Sequence, residues 1–428
     1  MLVFKFGGAS VNSAKAVRNM ASILRKYSSE QLVVVISAMG KTTNALEQLV
    51  PGVSDENERK VILQNLKDYH WNIANDLIPC DNDGLQTRLG QLFSDLESRI
   101  SHAPTNYNFD YDQVVSFGEL ISTTIISFFL NAIGMCNQWV DVRKVVITDA
   151  NYREGHVNWN LTRDNAQQLW NQCCENVSLL ITQGFIAGTP EGTTTTLGRE
   201  GSDYSASILS YCLDADSMTI WKDVPGFLNA DPKFFDNTVK IRQIPYNEAI
   251  ELAYYGASVI HPKTVKPLQN KNVELHIRSF LQPDVPGSVV GPFECIVPET
   301  PLYIFKNNQV LLSILPKDFS FIAEDNLQVI FGYFAQLGIR VNVMQNSALS
   351  FSVCIDDNKI LLEQLLQLLQ QNFRVYYNKS LQLITIRYYT QQIVDAIVAG
   401  RPILLEQRSR STAQIVVSDS CICQSDLS

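Results

Sequence analysis

Apolar and polar positions along the chain fall into alternating blocks. Residues 2–6 and 32–36 are short, nearly unbroken apolar runs rich in β-branched and aromatic side chains, the pattern of strands buried on both faces. Residues 138–142, 179–182 and 218–221 repeat it. Between them, residues 13–27, 56–77, 84–100 and 163–175 show helical spacing with charged faces, and residues 117–131 form a longer, mostly apolar helix. A Pro/Asn-rich interval at 102–108 reads as a connection. Strands alternating with helices over nearly 300 residues predict an α/β domain on a mainly parallel sheet, with ligands at the carboxyl ends of the strands.

The texture changes near residue 285, where Pro283, Pro286, Gly287, Gly291, Pro292, Pro298 and Pro301 punctuate a short interval. A smaller pattern follows: strand 309–315, helix 324–337, strands 340–344 and 349–355. A second, shortened copy is expected from helix 360–370, strands 373–377 and 381–388, helix 390–399 and strand 414–417, ending near Asp419. The chain therefore divides into residues 1–290, an α/β domain, and residues 300–428, an α+β pair of small units.

Composition narrows the function classes. The 428 residues are 46% hydrophobic and 18% charged, as in a globular protein, with ample length for a buried core. A net charge of −9 without a Lys/Arg stripe argues against a nucleic-acid partner. No apolar run is expected to reach membrane-spanning length, and no leader precedes the first strand, so a cytoplasmic protein without a membrane partner is expected. The nine cysteines include the Cys173-Cys174 pair and Cys421 and Cys423 near the C-terminus, and none has zinc spacing. All are read as reduced thiols.

The candidate chemistry begins almost at the first residue. Lys5 lies inside the first apolar run, which breaks into Gly7-Gly8 ahead of a helix. Adjacent glycines let backbone N–H groups approach a polyphosphate, the helix start offers its positive end, and Lys5 adds a point charge. The lysine precedes the glycines and no Gly-Lys-Ser/Thr follows, so this is not the Walker A arrangement.

Taken in order, Lys5-Phe-Gly-Gly-Ala-Ser-Val11, Ser37-Ala-Met-Gly-Lys-Thr-Thr43, Phe117-Gly-Glu119, Asp141-Val-Arg143, Gly184-Phe-Ile186, Thr193-Thr-Thr-Thr-Leu-Gly-Arg-Glu-Gly-Ser-Asp203 and Trp221-Lys-Asp-Val-Pro-Gly226 with Asp231-Pro232 resemble the aspartate kinase family over essentially the whole chain. The resemblance implies an amino-acid-kinase fold followed by paired ACT domains, a homodimer, and transfer of the γ-phosphoryl of ATP to the β-carboxylate of L-aspartate with Mg²⁺, the first step toward lysine, threonine and methionine. It makes Lys5 and Asp203 catalytic. Substrate contacts fall to Ser37, Thr43, Glu119 (ammonium), Phe185, Arg199 (α-carboxylate) and Ser202. The nucleotide falls to Lys5, Gly7, Gly8, Ser10, Lys222, Asp223, Leu228, Lys233 and Ser258. Asp141 and Arg143 read equally well as a structural ion pair.

Several positions depart from the family pattern. Ala9 replaces a threonine, Leu228 a tyrosine, and Ser258 a lysine whose charge Lys222 or Lys263 would supply. Glu200 replaces a glycine and is expected to point outward. In the segment 339–348, where lysine-inhibited relatives hold their effector, Arg340, Asn342 and Ala348 replace a small polar residue, an aspartate and a glutamate. These changes predict a weak response to lysine, and leave room for a neutral amino-acid effector. Two other readings stay open: another amino-acid kinase of the same fold, and a catalytically silent amino-acid-binding regulator.

Overall fold

The computed structural model describes residues 1–79, 83–173, 177–257, 259–318 and 321–418. Ser258, Cys421, Cys423 and the end of the last unit near Asp419 lie outside the described residues, as does Cys174. The chain divides into two compact units. The first comprises Met1–Phe227, Ile241–Ile250 and Ser258–Val297, and the second comprises Leu228–Lys240, Glu251–Ala257 and Pro298–Ser428. Two short segments before residue 290 thus belong with the second unit, where a single crossing is the simpler expectation.

In the first unit β1 (Leu2–Phe6) sits at the centre of an eight-stranded sheet, flanked by β2 (Leu32–Ile36) and by the strand Ser217–Lys222. Beyond β2 lie the strands Leu179–Gln183 and Gln138–Val140; beyond Ser217–Lys222 lie Glu274–Ser279, Ser288–Gly291 and Gln243–Pro245. Every pairing is parallel except that of Glu274–Ser279 with Ser288–Gly291. Full burial of Val3, Phe4 and Phe6, and of all five residues in each of the next two strands outward, explains why these runs read as unbroken apolar stretches. Lys5 is the polar exception, in register with Val35 and Ile220.

The helical predictions at 56–77, 84–100 and 117–131 correspond to Glu56–Leu77, Asp83–Ile100 and Phe117–Ala132. The connection read at 102–108 instead runs into an additional helix, Tyr107–Val115. Its start is set by Asn106, whose side chain caps the N–H groups of Asn108 and Phe109. Together with Phe117–Ala132 it makes a helical stretch, Tyr107–Ala132, long and apolar enough to match a membrane span, contrary to expectation. The most apolar 18-residue window of that stretch is 94% buried, so its apolarity belongs to the core of the first unit.

The second unit is built on a six-stranded antiparallel sheet in the order Val341–Asn346, Phe351–Asp356, Leu302–Pro316, Phe373–Arg387, Thr412–Ser418, Ile403–Arg408. The two strands expected at 373–377 and 381–388 are one 15-residue strand, kinked at Ser380 (φ 55) and shifted in register opposite Lys306–Leu311. The small units therefore share a sheet. Each still has its own core: Val310, Leu312 and Ile314 pack with Ile330, Phe334 and Leu365, while Ile384 and Ile386 pack with Val394, Ile397 and Ile415. The strand Ile403–Arg408 was not foreseen, because its outer residues are exposed and its pattern is weak. The five described cysteines, Cys136, Cys173, Cys212, Cys295 and Cys354, are free thiols.

The long helix Glu56–Leu77 starts with a reciprocal cap, Asp55 accepting from the Glu58 N–H at 2.9 Å while Glu58 reaches back to the Asp55 N–H. Asp55→Ala is expected to lower stability by about 1 kcal/mol. A urea midpoint left unmoved would show that the helix start contributes nothing measurable.

Candidate active site

The carboxyl ends of the central parallel strands converge on a cavity of about 810 Å³, confined to the first unit. Lys5 projects from the end of β1, Ser37 and Ala38 follow β2, and Phe185 follows the strand Leu179–Gln183. The helix Gly201–Cys212 presents its first turn, with Ser202 and Asp203, to the same space, so its positive end faces the cavity. Gly8 is required here. A Cβ would stand 2.8 Å from the Ala38 carbonyl oxygen and 2.9 Å from that of Gly40, and the Gly40 N–H donates to the Gly8 carbonyl.

Asp203 is wholly buried between two lysines, with Lys5 Nζ at 2.6 Å and Lys222 Nζ at 3.3 Å. Burial works to raise its pKa, but the two ammonium groups outweigh that and hold the carboxyl below its ordinary value. Lys222 Nζ also donates to the Val259 carbonyl at 2.6 Å. The cluster of one carboxylate and two ammoniums carries an excess positive charge at the strand ends, which is what a polyphosphate needs.

Glu119 lies in the first turn of Phe117–Ala132 and is also buried, but in a different electrostatic setting. Its Oε1 accepts from the Ala38 N–H at 3.2 Å, while Oε2 is buried with no hydrogen-bond partner. Burial pushes this carboxyl up to about 8, against the weaker pull of the Ala38 N–H and the Lys5 charge. Arg199 and Glu200 also line the cavity, and both are exposed. Glu200, expected to point outward, is exposed and borders the cavity. It holds a left-handed backbone (φ 56) at the helix start, where a glycine would sit without strain.

Residues 1–279 match the family model described as the amino acid kinase family. The chain belongs to the amino acid kinase family. It is 30% identical over 377 residues to aspartokinase 1, chloroplastic, of Arabidopsis thaliana, covering 85% of this chain and 65% of that protein. The chain thus spans just under two thirds of that relative's length. Among solved structures it is similar to E. coli aspartokinase III in complex with aspartate and ADP, with 28% identity, a TM-score of 0.83, and 98% and 96% of the two chains covered. The aspartate kinase of Clostridium acetobutylicum shares the fold at 20% identity and a TM-score of 0.78. The architecture of these proteins is the one described above, an amino-acid-kinase fold followed by antiparallel-sheet C-terminal domains.

In this amino acid kinase family member the structure gathers Lys5, Gly8, Ser37, Thr43, Glu119 and Phe185 around one cavity, with Arg199, Ser202 and Asp203 completing it. Other expected contacts stand elsewhere. Ser10 is buried with its hydroxyl donating to the Trp221 carbonyl at 3.3 Å, because a buried hydroxyl must find an acceptor, and it does not line the cavity. Gly7 borders Lys5 Nζ without lining the cavity either. Lys222 reaches the site through Asp203, whereas Asp223 is exposed in the loop that follows its strand. Leu228 and Lys233 belong to the second unit. Asp141 and Arg143 form a bidentate pair (2.9 and 2.6 Å) away from the cavity lining, and although burial opposes it, Arg143 lowers the Asp141 pKa.

Sequence reasoning missed the wall formed by Asn108, Tyr111 and the loop Asn151–Glu154. Arg153 (φ 71) lays its guanidinium over the Tyr111 ring at 4.5 Å and the Tyr107 ring at 5.5 Å, and the Tyr111 hydroxyl donates to Glu47 at 2.7 Å. A Tyr/Asp-rich start to an otherwise apolar helix was the available signal, and the 42-residue separation of Tyr111 and Arg153 hid the partner.

The raised Glu119 pKa has a definite sign in stability. The folded state holds this proton more tightly than the unfolded chain, so the group's contribution falls as pH rises from its ordinary value toward about 8. Glu119→Gln should gain on the wild type by more than about 1 kcal/mol between pH 5 and pH 8. Urea unfolding of both proteins across that range measures it; a constant gap would contradict the assignment.

Proposed function

We propose that the protein is an aspartate kinase, which transfers the γ-phosphoryl group of ATP to the β-carboxylate of L-aspartate and yields 4-phospho-L-aspartate and ADP. The observation that carries this reading is the pairing, in one cavity, of a buried carboxyl group with an unsatisfied oxygen (Glu119) and an exposed guanidinium without a described ion pair (Arg199), beside the Lys5–Asp203 cluster. An amino-acid acceptor brings an ammonium and an α-carboxylate that match these two groups, Arg199 serving as a fork for the carboxylate. The names of the Arabidopsis relative and of the E. coli structure with aspartate and ADP support the same acceptor.

In this reading the acceptor carboxylate is already ionised at neutral pH, so no protein base is needed. A carboxylate oxygen attacks the γ-phosphorus, and the bond from that phosphorus to the bridging oxygen breaks, leaving ADP with the electron pair. Lys5 bridges the transferring phosphoryl group, Asp203 holds Lys5 in place and pairs with Lys222 as well, and Gly8 admits the phosphates to the backbone. Ser37, Thr43 and Ser202 supply hydroxyls around the acceptor, and Phe185 packs against it. Mg²⁺ would be held chiefly by phosphate oxygens. Asp203 is committed to two lysines, and no cluster of three acidic, His or Cys side chains stands among the described residues, so no step is assigned to the ion.

Nucleotide contacts from Asp223, Leu228, Lys233 and Ser258, the ACT character of the second unit, a homodimer and a cytoplasmic location form part of this proposal on the strength of the resemblance. An ADP-release assay with L-aspartate, L-glutamate and N-acetylglutamate tests it. Aspartate should be the preferred acceptor, and Lys5→Met should lose at least about 10²-fold in turnover while remaining folded. Preference for either other acceptor, or no turnover at all, would overturn the reading.

The response to lysine has its own structural support. Asn342 Oδ1 already accepts from the Lys306 ammonium at 2.9 Å, and its Nδ2 donates to Gln309 and Asp356 at 2.7 and 3.0 Å. An effector ammonium at Asn342 would compete with an internal one. L-Lysine at about 1 mM, where a weak ligand half-saturates, should change the rate by less than about twofold. Strong inhibition at lower concentration would refute this.

A further inference from the structure

Asp112 is wholly buried on the helix Tyr107–Val115 and does not itself line the cavity. Three donors converge on its carboxylate. The Arg153 N–H reaches Oδ2 at 2.8 Å, the Thr196 N–H reaches Oδ2 at 3.0 Å, and the Thr196 hydroxyl reaches Oδ1 at 2.7 Å. From the other side the Gly155 N–H donates to the Thr196 carbonyl at 2.9 Å. Thr196 ends the strand Thr194–Thr196, three residues before Arg199, and Arg153 belongs to the facing loop. Both Arg153 and Arg199 line the cavity.

The neighbouring residue repeats the device. Gln113 accepts from the Thr194 N–H at 3.3 Å and donates from Nε2 to the Thr194 carbonyl at 2.8 Å. Two side chains of one helix thus satisfy the edge of the short strand as a neighbouring strand would. Gly198 closes the arrangement. A Cβ there would stand 3.2 Å from the Arg153 carbonyl oxygen and 3.3 Å from Glu154 Cγ, so the turn and the loop are already in contact.

We propose that Asp112 is a positioning residue for the acceptor side of the cavity, fixing the loop that carries Arg153 and the turn that carries Arg199 against each other without touching a ligand. Its effect on aspartate in particular rests on the kinase reading above. A carboxylate that served only as a general fold staple would weaken nucleotide and acceptor binding alike. One that sets the spacing of Arg153 and Arg199 acts on the acceptor alone, because Lys5, Gly8 and Asp203 are held by other contacts.

The test uses the full chain with three variants. Asp112→Ala should raise the KM for aspartate at least about tenfold and leave the KM for ATP within about twofold. Asp112→Asn, whose amide oxygen can keep both N–H contacts and whose NH₂ can donate to the Thr196 hydroxyl, should restore aspartate use to within about threefold. If Asp112→Ala does not fold, Thr196→Val removes one of the three contacts and should raise the aspartate KM several-fold by itself. Amide hydrogen exchange should speed up at Arg153, Thr196 and the residues beside them in Asp112→Ala or Thr196→Val, and stay unchanged at 37–43. An unchanged aspartate KM in a folded variant, equal weakening for ATP and aspartate, or unaltered exchange at Arg153 and Thr196 would each overturn the proposal. A wild type inactive on aspartate would instead sink the kinase reading, and the exchange pattern would still decide the role of Asp112.

Discussion

The first unit is organised around one buried ionic contact, Asp203 between Lys5 and Lys222. A lysine in the central strand of a sheet buried on both faces is costly unless its charge is met, and the first turn of the helix Gly201–Cys212 meets it. That requirement ties the amino-terminal strand to a segment about 200 residues later and brings the second lysine in from the strand Ser217–Lys222. Replacing such a group by an apolar residue of similar volume is often neutral for folding, so the cluster is better explained by what it can attract than by stability. Two ammoniums against one carboxylate leave a positive residue of charge where three strands and a helix start converge.

The cavity holds two buried carboxyls with opposite tendencies. Asp203 is kept ionised by its lysines, whereas Glu119 is driven toward its protonated form by burial, with one oxygen left unsatisfied. Desolvation acts on both, and the difference comes from the number and closeness of the cations. The result is a site that is cationic toward a polyphosphate at one end and can accept a cation at the other. That polarity suits a zwitterionic acceptor beside a nucleotide.

Backbone strain gathers at the same place. Arg153, Phe185 and Glu200 all line the cavity and all adopt left-handed backbone conformations that non-glycine residues seldom hold. Arg153 is tied by its N–H to Asp112, Phe185 by its N–H to the Ser205 hydroxyl at 2.9 Å, and Glu200 opens a helix with its carbonyl accepting from Tyr204. Each strained residue is held by a nearby hydrogen bond.

By itself the sequence determined the layers and much of the chemistry. Uninterrupted apolar runs can be satisfied only in a doubly covered parallel sheet, and Lys5, Glu119 and Asp203 are charges that no surface position demands inside such runs or beside Gly-rich turns. The same local logic could not reach across the chain. It did not turn Ser10 toward Trp221, because a buried hydroxyl's acceptor depends on which strand lies beside it. It did not join the strands at 373–377 and 381–388, because a bulge looks like a break when only the chain's own periodicity is read. Nor did it place Asp112 beneath Arg153 and Thr196: hydrogen bonds between segments 41 and 84 residues apart leave no periodic trace, and only the packing of helix against loop decides them.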